Sequence, residues 1–183
     1  MRRLLIASVP LVVLAGTVSL GEAALPKLKT KTIVVGKSIG GVVLGASFKD
    51  AKKAWGKGGK CVNEFGSTNC TYETKKPADG QGQYSGTPGK KVTEIVITAG
   101  LNPVGNGPVF NTPLAKLKTS KGIHIGSTAK AVAKAYPKAK FRLIPMSQGY
   151  EYYIKGPGKA ATEFQMSKQT DGQVQFIQMT TPR

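Results

Sequence analysis

Histidine, arginine, cysteine and acidic residues are all scarce in this chain, and each shortage removes a class of function. His124 is the sole histidine in 183 residues. A serine nucleophile would need it as base, and no Gly-x-Ser-x-Gly elbow is present. The 9 acidic residues are scattered, with no pair placed for acid–base work. Two cysteines, Cys61 and Cys70, without histidine or carboxylate partners nearby make a poor zinc set. The sequence therefore assigns no catalytic residue, no cofactor and no metal, and the chain is read as a non-enzyme. Beyond the first three residues the only arginines are Arg142 and Arg183, and every other cation is a lysine. A guanidinium fork reads guanine and phosphate in fixed geometry, whereas lysine supplies diffuse charge. Sequence-specific nucleic acid is thus not an expected partner. No long apolar run follows Leu20, so no transmembrane segment is expected in the mature chain.

What is plentiful is lysine and glycine. Arg2 and Arg3 precede the uncharged run Leu4 to Leu20, and Gly21-Glu22-Ala23 offers small residues for a peptidase. Residues 1–23 read as a signal peptide cleaved before Ala24. A membrane anchor is the competing reading, but the run is marginal in length and broken by Pro10 and Gly16. Cleavage removes Arg2, Arg3 and Glu22 from 27 basic and 9 acidic residues, leaving 25 and 8 and a charge of +17. The mature protein is expected to be secreted or extracytoplasmic and associated with the cell envelope. Its charge favours an anionic envelope polymer, lipid headgroups or an acidic exported protein, and serves solubility as well. In an exported chain with two cysteines, a Cys61–Cys70 disulfide is the expected pairing.

The bacterial-type leader is followed by an internal match. Shifting the chain by 81 positions sets Gly41, Val42, Leu44 and Gly45 on Gly122, Ile123, Ile125 and Gly126. Ser47, Lys49, Ala51, Lys53, Ala54 and Trp55 fall on Thr128, Lys130, Val132, Lys134, Ala135 and Tyr136. Agreement of type at ten positions indicates a tandem repeat. The expected organisation is an extended segment over 24–38, repeat 1 over 39–100, a Pro/Gly-rich linker over 101–118 and repeat 2 over 119–183. Gly36-Lys37-Ser38 is a turn rather than the end of a phosphate loop, because Lys31 stands where the earlier glycine is needed. Ser47 and Thr128 are placed as N-caps. Phe48, Ala51, Ala54 and Trp55 form one apolar stripe, and Val132, Ala135 and Tyr136 another. His124 falls where the first copy has Val43, which marks it as structural.

Strands are expected at 92–98, 140–144, 150–155, 162–167 and 173–180, with a Thr170-Asp171-Gly172 turn closing the last hairpin. Phe164, Met166, Val174 and Phe176, with Ile177 out of phase, predict one buried face. Lys75 to Lys91 reads as a mobile polar loop. The predicted fold class is α+β: two tandem repeats, each a short N-capped helix packed on antiparallel β-strands.

The cadence Gly41-Val42-Val43-Leu44-Gly45-Ala46-Ser47 into Phe48–Trp55, then a cysteine pair and strands, resembles the repeat of the β-lactamase inhibitory protein. It also resembles the repeat of small bacterial outer-membrane assembly lipoproteins. Leu44-Gly45-Ala46-Ser47 and Ile125-Gly126-Ser127-Thr128 hold the places of that family's apolar-Gly-Met-Thr element, with Ala46 and Ser127 at the methionine position. The resemblance implies a tandem-repeat binding module with a sheet surface open to partners, including a protein inhibitor of an extracellular hydrolase. It carries over no inhibitory residue.

The candidate binding surface is Arg142, Tyr150, Tyr152 and Lys155. Alternation sets Tyr150 and Tyr152 on one face and Tyr153 on the other. Tyrosine beside cations makes a protein or glycan contact surface, and core packing is the competing assignment. The reading is an exported, non-catalytic binding module that engages an envelope component or another exported protein. A cationic adhesion protein for wall polymers or lipids is the alternative.

Overall fold

The computed structural model describes residues 24–87, 91–105, 107–144, 149–167 and 172–181. The expected signal peptide and most of the Thr170-Asp171-Gly172 turn lie outside the described residues. The chain opens with an extended segment tied down by its backbone: the Ala24 N–H donates to the Gly58 carbonyl at 2.8 Å and the Lys27 N–H to that of Trp55 at 2.9 Å. Short strands β1 (Thr32–Val34), β2 (Ser38–Ile39) and β3 (Val42–Val43) then meander. Helix α1 spans Phe48–Trp55. The Ser47 hydroxyl accepts from the Asp50 N–H at 3.1 Å and donates to the Asp50 carboxylate at 2.7 Å, satisfying one orphan helix donor.

Four strands follow, β4 (Lys60–Glu64), β5 (Ser67–Tyr72), β6 (Gly82–Gly86) and β7 (Val92–Thr98). Two-residue strands β8 (Gly100–Leu101) and β9 (Pro108–Val109) pair with each other, and β10 (Lys118–Thr119) pairs in parallel with β1. Helix α2 (Ala129–Ala135) is capped by Thr128, whose hydroxyl accepts from the Ala131 N–H at 3.2 Å. Strands β11 (Lys140–Ile144), β12 (Gly149–Lys155), β13 (Ala161–Ser167) and β14 (Val174–Thr180) complete the chain.

The α+β expectation of two helix-on-sheet repeats needs correction. Strand accounts for 45% of the structure and helix for 17%. The strands do not divide into two sheets, each with its own helix. Eight of them form one antiparallel sheet in the order β11-β12-β13-β14-β7-β6-β5-β4, beside a small sheet in the order β10-β1-β2-β3 and the β8–β9 pair. β14 pairs with β7 along Phe176–Thr180 against Glu94–Thr98, so the two meanders share a ladder at the centre. The reason is edge chemistry. A four-stranded meander would expose the last strand's unpaired backbone groups, and joining two last strands removes both edges. The match at a shift of 81 survives as local geometry. Gly45 and Gly126 both take positive φ, +80° and +90°, and donate their N–H to the carbonyls of Val92 and Val174 at 2.7 and 2.8 Å.

One sheet face is covered by residues 24–59 and 110–139. Ile33, Ile39, Val42, Trp55, Leu114, Leu117, Ile125 and Val132 from this covering layer meet Tyr72, Tyr84, Ile95, Ile97, Phe164, Ile177 and Met179 of the sheet in a single buried cluster. Trp55 stands edge-on to Tyr72 (5.4 Å) and Tyr84 (5.6 Å), and its indole N–H donates to the Ile39 carbonyl at 3.1 Å. The expected Lys75–Lys91 loop is corrected here, because β6 runs through it. Gly82 misleads, for it serves packing rather than flexibility. A Cβ on Gly82 would sit 3.1 Å from the Trp55 ring, so glycine leaves room for the indole.

The expected buried face is corrected at one position. Gln165 pairs with Phe176 but Met166 with Val174, so Gln175 is an extra residue on β14. This bulge shifts the alternation by one. Val174, Ile177 and Met179 turn inward, while Phe176 turns to the other face and is 40% exposed.

Candidate binding site

The four residues expected to form one surface are divided by the pleat. On β12, Tyr150 and Tyr152 point to the covered face, where Phe141 of β11 lies 5.4 and 5.8 Å from their rings. Phe141 and Leu143 are 54% and 66% exposed, and this apolar patch at the sheet edge was not read from the sequence. Arg142 projects from the opposite face. Its guanidinium lies 3.8 Å over the Tyr153 ring and 3.5 Å from the Glu151 carboxylate. Lys155 follows Tyr153 by two residues and belongs with a third group of side chains.

That group forms a pocket of about 420 Å³ where α2 ends and β11 begins. Helix α2 stops at Tyr136, since Pro137 cannot continue it. The Ala139 N–H then donates to the Tyr136 carbonyl at 2.9 Å, turning the chain into β11. The register Lys140↔Tyr153 brings β12 alongside. Lys121, Lys138, Lys140 and Lys155 line the pocket, and no acidic residue does. Its apolar wall is made by Tyr136, Pro137, Ala139, Tyr153 and Ile154. Lys121 is held in place: its ammonium donates to the Ala135 carbonyl at 2.6 Å and lies 4.9 Å from the Tyr136 ring centroid. It thereby covers a carbonyl of the last helical turn with a positive charge. Tyr136 is stacked on Phe164 at 5.7 Å, and burial pushes its phenol up from the ordinary value, partly offset by the Thr119 side chain. Of the pocket's four lysines only Lys155 was singled out in the sequence. The other three come from two stretches, Lys121 and Lys138-Ala139-Lys140, that no local pattern links to β12.

The polar face of the sheet holds Glu94 and Glu163 in a ladder. Ser85 donates to Glu94 at 2.8 Å, Gln178 donates to the other Glu94 oxygen at 2.5 Å, and Gln165 donates to Gln178 at 3.1 Å and to Glu163 at 3.4 Å. Glu151 is 7% exposed beneath Arg142. Burial raises the Glu163 carboxyl above its ordinary value, and the Glu151 charge adds to this.

Charge is therefore partitioned by layer. The eight strands carry four basic residues (Lys60, Lys140, Arg142, Lys155) and four acidic ones (Glu64, Glu94, Glu151, Glu163). The covering layer carries fourteen lysines and one acid, Asp50, which is engaged by the Ser47 cap. His124 donates from Nδ1 to the Ile125 carbonyl at 2.6 Å. Cys61 and Cys70 form a disulfide across the β4–β5 pair. Among the described residues no three histidine, cysteine or carboxylate side chains gather as a metal site, and no helix is long and apolar enough to cross a membrane.

No family model and no curated protein matches the chain in sequence. Two solved structures resemble it in fold. An extracellular protein containing an SCP domain from Bacillus anthracis is 11% identical, with a TM-score of 0.51 over 75% of this chain and 44% of that one. The DUF4309-family protein YjgB from Bacillus subtilis is 14% identical, with a TM-score of 0.49 over 78% of this chain and 83% of that one. The match to the B. anthracis protein spans less than half of it, and the likeness is one of fold.

Proposed function

We propose that this protein is an exported, non-catalytic binding module that engages an anionic component of the cell envelope through its covering layer. The observation that carries this reading is the charge partition, fourteen lysines against one acid on one side of a sheet whose strands are neutral. A face of one sign concentrates ligands of the other sign and speeds their encounter. The Cys61–Cys70 disulfide supports an oxidising compartment, and the extracellular origin of the B. anthracis neighbour agrees with it. A non-catalytic role is supported by the placement of His124, tied to a backbone carbonyl, and by the polar ladder that engages Glu94 and Glu163.

The test is retention of the purified protein on immobilised poly(glycerol phosphate) as salt rises. Retention should fall linearly in a log–log plot, because each lysine contact releases condensed counterions. Retention that ignores salt, or no retention at low salt, would overturn the reading. A second reading, binding of another exported protein (an inhibited hydrolase among them), is favoured by Phe141 and Leu143, exposed beside Tyr150 and Tyr152 on an edge strand. Capture of one secreted protein that survives high salt would carry that reading instead.

A further inference from the structure

We infer that the pocket between the end of α2 and strands β11 and β12 is a discrete subsite for a phosphorylated sugar unit. The inference rests on the anionic-ligand reading above and names where and what that ligand is. The four lysines line one concavity although they come from the β10–α2 connection, the turn after α2, and the ends of β11 and β12. No acidic side chain lines it to neutralise them. A concavity lined by lysines and by no acid favours a ligand of high negative charge density. A phosphate monoester carries close to two negative charges at neutral pH, against one for a carboxylate, and lysine binds it as a point charge.

The pocket is more than a charged patch. Lys121 is fixed against Ala135 and Tyr136, and the Tyr136 ring is fixed against Phe164, so part of the site is preformed. Tyr153 is held from outside by Arg142. The volume of about 420 Å³ lies within the range of about 300–1,000 Å³ typical of small-molecule sites. An apolar wall with cations at the rim suits the carbon face of a sugar ring bearing a phosphate. A bare phosphate would leave that wall unfilled.

Calorimetric titration of the purified protein with glucose 6-phosphate, inorganic phosphate, glucuronate and glucose tests the ligand class. Glucose 6-phosphate should bind most tightly, glucuronate about tenfold more weakly for its single charge, and glucose not measurably. Glucose 6-phosphate binding no better than inorganic phosphate would overturn the sugar assignment. The site is tested by comparing Lys138→Ala/Lys155→Ala with Lys60→Ala/Lys76→Ala, which removes the same charge from exposed positions outside the covering layer, on β4 and in the loop after β5. Thermal unfolding should show both variants folded. The first pair should weaken glucose 6-phosphate about tenfold or more, the worth of a lost charge-assisted hydrogen bond, and the second should leave it nearly unchanged. Equal loss in both would overturn the subsite and leave the diffuse cationic face standing. Poly(glycerol phosphate), whose diester units carry one charge each and no sugar ring, should be retained nearly as before by both variants, and its selective loss with the first pair would overturn the phosphosugar assignment in favour of a backbone phosphate. Absence of any salt-dependent polymer retention would remove the reading on which the subsite depends.

Discussion

Glu163 is an acid placed where a carboxylate is poorly solvated. It lies on β13 between Tyr153 and Gln178, and its carboxyl holds a proton above the ordinary 4.5. Burial is the largest cause and the Glu151 charge adds, while the Gln165 amide and Arg142 pull the other way. The folded state thus binds this proton more tightly than the unfolded state does. Glu163's contribution to stability is complete below about pH 4.5 and is lost as pH rises through the raised folded value. Glu163→Gln keeps the shape and the acceptor for Gln165 but cannot ionise. The variant should melt higher than the parent at neutral pH, with the gap closing on acidification below that window. Thermal midpoints across acid to neutral pH check this, and a gap independent of pH would show that the proton is not involved. Nothing local in Thr162-Glu163-Phe164 reveals the shift, because Glu151 and Arg142 reach it only through sheet pairing. Trp55 is the contrasting case. Its place on the apolar stripe with Ala51 was legible, and it is fully buried.

Elements whose signals are local were readable, and those that depend on packing were not. Ser47 and Thr128 cap the two helices as their residue types require, and Pro137 stops the second. Strand β6 was hidden because Gly82 and Gly86 read as loop residues, although the sheet needs one of them small to seat Trp55. The two edge hairpins are secured differently. Cys61↔Cys70 bridges β4 and β5, whereas Phe141↔Tyr152 spans β11 and β12 with rings 5.8 Å apart. Each edge strand has one neighbour, so a cross-strand link matters more there than at the centre. Replacing both cysteines by serine should cost about 2–3 kcal/mol through the freed chain entropy of the short loop. A lowered denaturant midpoint is the expected result. An unaltered midpoint would mean that β4–β5 pairing is sustained without the bond.

At the scale of the whole molecule, the two meanders share one eight-stranded sheet and one core, which implies one cooperative unit. Trp55 reports on the first meander, while far-ultraviolet dichroism averages over all eight strands. Because β7 and β14 share a ladder and both contribute to the same cluster, the two probes should give coincident unfolding transitions. Separated transitions would show that the halves fold independently. The same architecture explains the electrostatics. Strands that must bury one face and hydrogen-bond the other carry few charges, so the lysine excess collects on the covering layer and the loops.

The amino-acid sequence by itself determined the net charge, the cysteine pair, both helix caps and the internal match, since each depends on composition or on residues within a turn or two. Only the tertiary structure decided that the matched halves merge into one sheet, that Gln175 bulges and turns Phe176 outward, and that Arg142 and Tyr152 lie on opposite faces. It alone brought Lys121, Lys138, Lys140 and Lys155 around one pocket. Strand order and register are long-range choices, made by burial and by the pairing of backbone edges. Neither quantity is a property of any short stretch of chain.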